Sequence, residues 1–170
     1  MGPTGRNGST ARDSSDRARS SPSGASPRTR TSWAVPAPVR AAQIANAAQN
    51  GDRDGVHALL KKGLDVNEAQ GDGTTALHWA AMKGDADMAR MLIVAGANVR
   101  ATTRLGSYTA LYLAAKGGYS DVVAALLAAG ADAKAVTSNG TTPLMIAAAA
   151  GDTKSINSLV ENGAEINATE

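Results

Sequence analysis

The stretch Asp72–Ala101 reads DGTTALHWAAMKGDADMARMLIVAGANVRA. Thr75 stands just before a short apolar run. Its hydroxyl is placed to cap a helix over about Ala76–Lys83. Gly84 ends that helix, because the left-handed backbone that closes a helix costs glycine least. Asp85 caps a second helix, about Ala86–Ala95, with Ala89, Leu92 and Ile93 on one face. Gly96 ends it, and Ala97-Asn98-Val99 leads outward toward Leu105-Gly106. The unit is two short antiparallel helices and a turn, with unusually many alanines.

The same unit recurs on both sides. Gly51, Gly84, Gly118 and Gly151 are spaced 33, 34 and 33 residues apart. Three more columns keep that spacing: Gly63, Gly96, Gly130, Gly163; Ile44, Leu77, Leu111, Leu144; and Leu59, Leu92, Leu126, Leu159. A shared period near 33 predicts a solenoid of stacked units. Two short helices cannot bury a face alone, so each must stack on its copies. Ala47-Ala48, Ala80-Ala81, Ala114-Ala115 and Ala147-Ala148 are small where helix pairs approach closely, and the leucine columns form a continuous core. The expected copies span about 39–71, 72–104, 105–138 and 139–170, within a repeat domain over 37–170.

Composition agrees with a thin, layered core: 43% of residues are hydrophobic, but Phe is absent and aromatics make up only 3%. Charge is divided. Residues 1–40 hold seven Arg against Asp13 and Asp16, whereas 41–170 carry an excess of three acids. Residues 1–36 are rich in Ser, Gly, Pro and Arg, with too few apolar side chains to offset the entropy of ordering. They predict a disordered tail. No apolar stretch follows its charges, so it does not read as a secretory signal. No run of 18 apolar residues exists, so no membrane span is expected. With no signal, the cytoplasm is the default location.

Catalytic chemistry finds no constellation. Cysteine is absent, which removes thiolate nucleophiles, disulfides and cysteine metal sites. Of the two histidines, His78 is placed to bond the Thr75 hydroxyl, and His57 falls on an outer helix. A lone histidine without cysteine does not predict zinc. Gly151-Asp152-Thr153-Lys154-Ser155 lacks the glycines of a phosphate loop and reads as a helix start. Asp85, Asp87, Asp121 and Asp152 sit at the starts of outer helices, where negative charge complements the dipole. No cofactor and no metal are expected.

GlyThrThrAlaLeuHisTrpAlaAla from Gly73 and GlyThrThrProLeuMetIleAlaAla from Gly140 resemble the ankyrin repeat. So do the unit ends Gly63-Leu64-Asp65-Val66-Asn67, Gly96-Ala97-Asn98-Val99, Gly130-Ala131-Asp132-Ala133 and Gly163-Ala164-Glu165-Ile166-Asn167. The resemblance covers roughly residues 39–170. It implies an all-α solenoid of antiparallel helix pairs joined by β-hairpin-like turns. Departures from the motif are Ala76 and Ala110 in place of proline, kept only as Pro143, and an extra residue near Gly106-Ser107-Tyr108. The first copy looks like an amino-terminal cap, with Gln43, Asn46, Gln49 and Asn50 facing out. The last copy has no comparable cap, so Ile156, Leu159 and Val160 are expected to be partly open.

The resemblance further implies a non-enzymatic scaffold that binds another protein on a concave face of turns and inner helices. The positions mapped to that face are Asp72, Thr74, Trp79, Met82 and Lys83 in the second copy. They continue as Arg104, Leu105, Ser107, Tyr108, Leu113 and Lys116 in the third, and Asn139 and Thr141 in the fourth. Trp, Tyr, Arg and Met are enriched in binding hot spots, so Trp79, Met82, Arg104 and Tyr108 form the expected anchor cluster. Trp79 and Leu113 could instead fill the groove between inner helices, and Tyr112 is expected to be structural. The chain is expected to be monomeric unless its open last face self-associates. A second reading is a targeting or regulatory segment of a larger protein with a further domain beyond residue 170. Nucleic-acid binding by the arginine tail is not expected, since no aromatics interleave its arginines and Trp33 is the only ring there.

Overall fold

The computed structural model describes residues 42–166; the expected tail and residues 167–170 lie outside them. Among the described residues eight helices follow in pairs: α1 Gln43–Asn50 and α2 Arg53–Lys61, α3 Ala76–Lys83 and α4 Ala86–Val94, α5 Ala110–Lys116 and α6 Ser120–Ala128, α7 Pro143–Ala150 and α8 Thr153–Glu161. The odd-numbered helices pack on one another as an inner layer, and α4, α6 and α8 stack as an outer layer.

Local chemistry starts each inner helix in the same way. Thr109 Oγ1 accepts the Tyr112 amide at 3.1 Å, and Thr142 Oγ1 accepts the Met145 amide at 3.2 Å. Thr75 forms a capping box with His78. In the first copy that place falls to Ala42, at φ 62°, whose amide donates instead to Glu68 Oε2 at 2.9 Å. Outer helices begin with Asp52, Asp85 and Asp152, whose carboxylates accept amides of the first turn. Tyr119 takes this position in the third copy and makes no side-chain cap. Its ring lies instead against the backbone of Gly84 and Gly117, where any Cβ would collide with it.

The core is built as the columns predict except at Leu59, which is half-buried. Ile44, Leu77 and Leu111 are buried in the inner layer, and Leu92, Leu126 and Leu159 in the outer one. Each fully buried leucine contributes about 1.5–3 kcal/mol of hydrophobic stabilisation. Ala80, Ala81, Ala114, Ala115 and Ala147 are fully buried, which lets the inner helices approach. Ala148 is exposed, because no further described unit packs on it. The last face is partly open, as expected for Ile156 and for Val160, which is 37% exposed; Leu159 is fully buried. Leu144, Met145, Ala148, Ile156, Val160 and Ile166 border a recess of about 300 Å³ there.

Hairpins link the pairs. Gln70 donates its amide to Thr74 O at 2.9 Å, and Thr137 to Thr141 O at 3.0 Å. In the third copy Thr103 reaches Tyr108 O, one residue further, and Thr102 and Thr109 form the one β-bridge among the described residues. The extra residue is taken up by Gly106 and Ser107, both at positive φ; Ser107 holds at 53° the place that Gly73 and Gly140 hold elsewhere. Neighbouring tips are joined through Arg104 N to Asp72 O at 2.8 Å and Ser138 N to Gly106 O at 3.0 Å.

Candidate binding surface

The inner helices present two rows of side chains outside the repeated core columns. One runs Asn46, Trp79, Leu113, Ile146, and the other Gln49, Met82, Lys116, Ala149. Met82 is 44% exposed, Lys83 and Lys116 are exposed, and Trp79 and Leu113 are half-buried. Residues change from copy to copy here, while the leucine and alanine columns repeat. The stack therefore does not dictate them.

Trp79 is held by polar contacts that no single unit contains. Its indole N–H donates to Gln70 Oε1 at 3.0 Å. Gln70 Nε2 donates to Asn46 Oδ1 at 2.7 Å and to Gln49 Oε1 at 2.9 Å. Asn46 and Gln49, two of the four cap residues expected to face out, thus belong to the same surface as Trp79, while Gln43 is half-buried. Sequence reasoning missed Gln70, because its partners lie on two other segments.

The expected anchor cluster divides. Tyr108 stacks on Tyr112 with ring centroids 5.1 Å apart and planes 20° apart, and it also covers Gly106. Tyr112 is buried, and burial pushes its hydroxyl above the ordinary value. Arg104 donates Nη1 to Gly71 O at 3.0 Å and ties the second hairpin to the third. Trp79 and Met82 stay on the inner helix, while the contacts of Arg104 and Tyr108 hold the hairpins together.

The remaining positions spread along the tips. Asp72, Leu105 and Asn139 are exposed, and Ser107 and Thr141 are half-buried. Thr74 is a correction: mapped as a turn tip, it is buried, and its amide donates to Asp72 Oδ1 at 2.9 Å. That same bond holds the Asp72 carboxyl below its ordinary range. A second set of links was also missed. Asn67 Oδ1 accepts the Asn98 amide at 2.7 Å, Arg100 Nε donates to Gly130 O at 3.4 Å, and Lys134 pairs with Glu165 at 2.8 Å. Asn67, Arg100 and Lys134 share the 33/34 spacing, which was the available signal.

His78 is structural, as expected. The Thr75 amide can only donate, and it meets Nδ1 at 3.1 Å, so Nδ1 is the acceptor and Nε2 carries the proton. Nε2–H then donates to Tyr108 O at 3.0 Å, tying the second copy to the third hairpin. Burial pushes the imidazole below its ordinary value, against the opposing pull of that carbonyl. His57 is exposed on the outer layer, where it lines a groove of about 580 Å³ with Leu60, Lys61, Arg90 and Met91. Among the described residues no three His, Asp or Glu gather as metal ligands, and no helix is long and apolar enough to cross a membrane.

Stacked helix pairs with linked hairpins define a helical repeat solenoid. A family model described as ankyrin repeats (3 copies) matches residues 44–137 and 95–170, and the chain belongs to the ankyrin repeat family, whose repeats serve protein–protein interaction. Two curated relatives, each named potassium channel AKT1, come from Oryza sativa subsp. indica and subsp. japonica. Both are 40% identical over 53 residues, 31% of this chain. The matched segment spans 6% of the length of those channels.

Proposed function

We propose that this chain is a non-catalytic interaction module that grips a protein partner through its inner-helix face, centred on Trp79, Met82, Lys83, Leu113 and Lys116. One observation carries the reading. These positions are open or half-open, and they differ between copies whose core columns repeat. An aromatic ring held in place by Gln70 adds a rigid, pre-ordered contact, which lowers the cost of binding. Tyr108 and Arg104 serve the face indirectly, by holding the hairpins. The test compares Trp79→Ala and Met82→Glu with an outer-layer control, Val94→Glu. Partner capture falls in the first two and persists in the third, with helical content equal in all. Equal capture by all three would remove the inner face from the account.

A second reading makes these repeats a targeting or regulatory segment of a larger protein. It is supported by relatives in which the matched stretch is a small part of a channel. The intact mass of the protein from its native cell separates the two. A mass near 17.1 kDa supports a free-standing module, and a much larger one supports the segment.

A further inference from the structure

We infer that the partner segment seated on the inner face is acidic over copies one to three and apolar toward copy four. This rests on the inner-face reading above. The first support is the polarity of the amide array. The Trp79 indole can only donate, so Gln70 must turn its oxygen to it and its NH2 to the other side. That NH2 reaches Asn46 and Gln49, so both must offer their oxygens. Their own NH2 groups are left turned away from Gln70, on exposed side chains. Each amide oxygen of this array accepts one bond within it, and the NH2 groups of Asn46 and Gln49 donate none within it.

The second support is charge. The four inner helices carry Lys83 and Lys116 and no Asp or Glu. Both lysines are exposed; Lys83 follows Met82 on α3, and Lys116 holds Met82's column position on the neighbouring α5. The fold does not demand them: Asn50 and Ala150 stand where Lys83 does, and α1 and α7 end in the same way without a cation. Two acids lie near this face, and their hydrogen bonds leave the negative charge in place. Glu68 accepts the Ala42 amide, and Asp72 accepts the Thr74 amide at a tip shared with Arg104. His78 is buried and adds no surface charge.

Donor amides and lysines call for carboxylates and carbonyl oxygens. Packed helices lie ~8–10 Å apart, so carboxylates about that far apart would meet both lysines; an extended strand reaches this in about three residues. Beyond Lys116 the surface turns apolar through Leu113, Ile146, Ala149 and Ala150, which suits aliphatic side chains.

The experiment pans a random dodecapeptide library on the full chain, then measures synthesised winners against variants by fluorescence anisotropy. Acidic peptides with one apolar end are expected, weakening with salt, and losing about tenfold in affinity for Lys83→Glu or Lys116→Glu. Val94→Glu should leave them unchanged. Neutral or basic winners that depend on Trp79 would overturn the acidic partner but keep the inner face. Winners indifferent to Trp79→Ala and to both lysine reversals would overturn both readings. No enrichment over a bare surface would overturn the inference.

Discussion

Replacing Gly84 or Gly118 with alanine makes a matched pair. The two glycines share one column just past the first helix of adjacent copies, with φ +69° in each. A left-handed alanine costs about 1–2 kcal/mol, and the stiffer unfolded chain offsets about 0.4–1 kcal/mol of that. Gly118→Ala should therefore destabilise by roughly 1 kcal/mol, since nothing lies within 4 Å of its new Cβ. At Gly84 the Cβ would stand 2.5–2.8 Å from three carbons of the Tyr119 ring. Displacing a packed ring adds about 1–3 kcal/mol, for a total of roughly 2–4 kcal/mol. Urea unfolding followed by circular dichroism reads both values. In a Tyr119→Ala background the two costs should converge, because the contact that separates them is gone. Equal costs in the parent chain, or a gap that survives removal of the ring, would refute the placement of Tyr119 and the packing of copy two on copy three.

Three further outcomes follow from the same contacts. His78 has a folded pKa below its ordinary value near 6.5, so the unfolded chain binds the proton first as pH falls. Its contribution is complete above about pH 6.5 and is lost below it, toward the lower folded value; urea midpoints across that range should fall, and His78→Gln should remove the dependence. Ser107→Gly should stabilise by about 0.5–1 kcal/mol, because a serine at φ 53° is strained where other copies use glycine; a loss of stability would contradict that hairpin. Leu92→Ala should cost about 2–5 kcal/mol and Val94→Ala less than about 0.5 kcal/mol, since the first is fully buried and the second is 88% exposed. Similar costs for the pair would exchange the faces assigned to α4.

Much of this fold was legible in the sequence, because a repeat writes its physics several times. Thr75, Thr109 and Thr142 announce inner helices, and Asp52, Asp85 and Asp152 announce outer ones. The glycines mark the ends, and the extra residue near Ser107 appears as a single slip in every column. The surface was less legible, because its contacts join different copies. Trp79 reads as a free aromatic anchor, yet its indole is tied to Gln70 and through it to Asn46 and Gln49. Arg104 and Tyr108 read as contact residues by type. A guanidinium at a hairpin tip can reach the neighbouring carbonyl of Gly71, and a tyrosine beside Gly106 and Tyr112 finds a ring to stack on. Thr74 shows the limit of mapping by position: it belongs to a hairpin tip yet is buried, with its amide bonded to Asp72.

The most direct measurement is site-specific photo-crosslinking in the native cell. A photoreactive residue is placed at Met82 on the inner face or at Ala128 on the exposed outer layer. The account predicts a discrete protein adduct from position 82 that disappears with Trp79→Ala, and none from position 128. Adducts from position 128 alone, or adducts at 82 that persist without Trp79, would contradict the inner face as the place where this protein meets its partner.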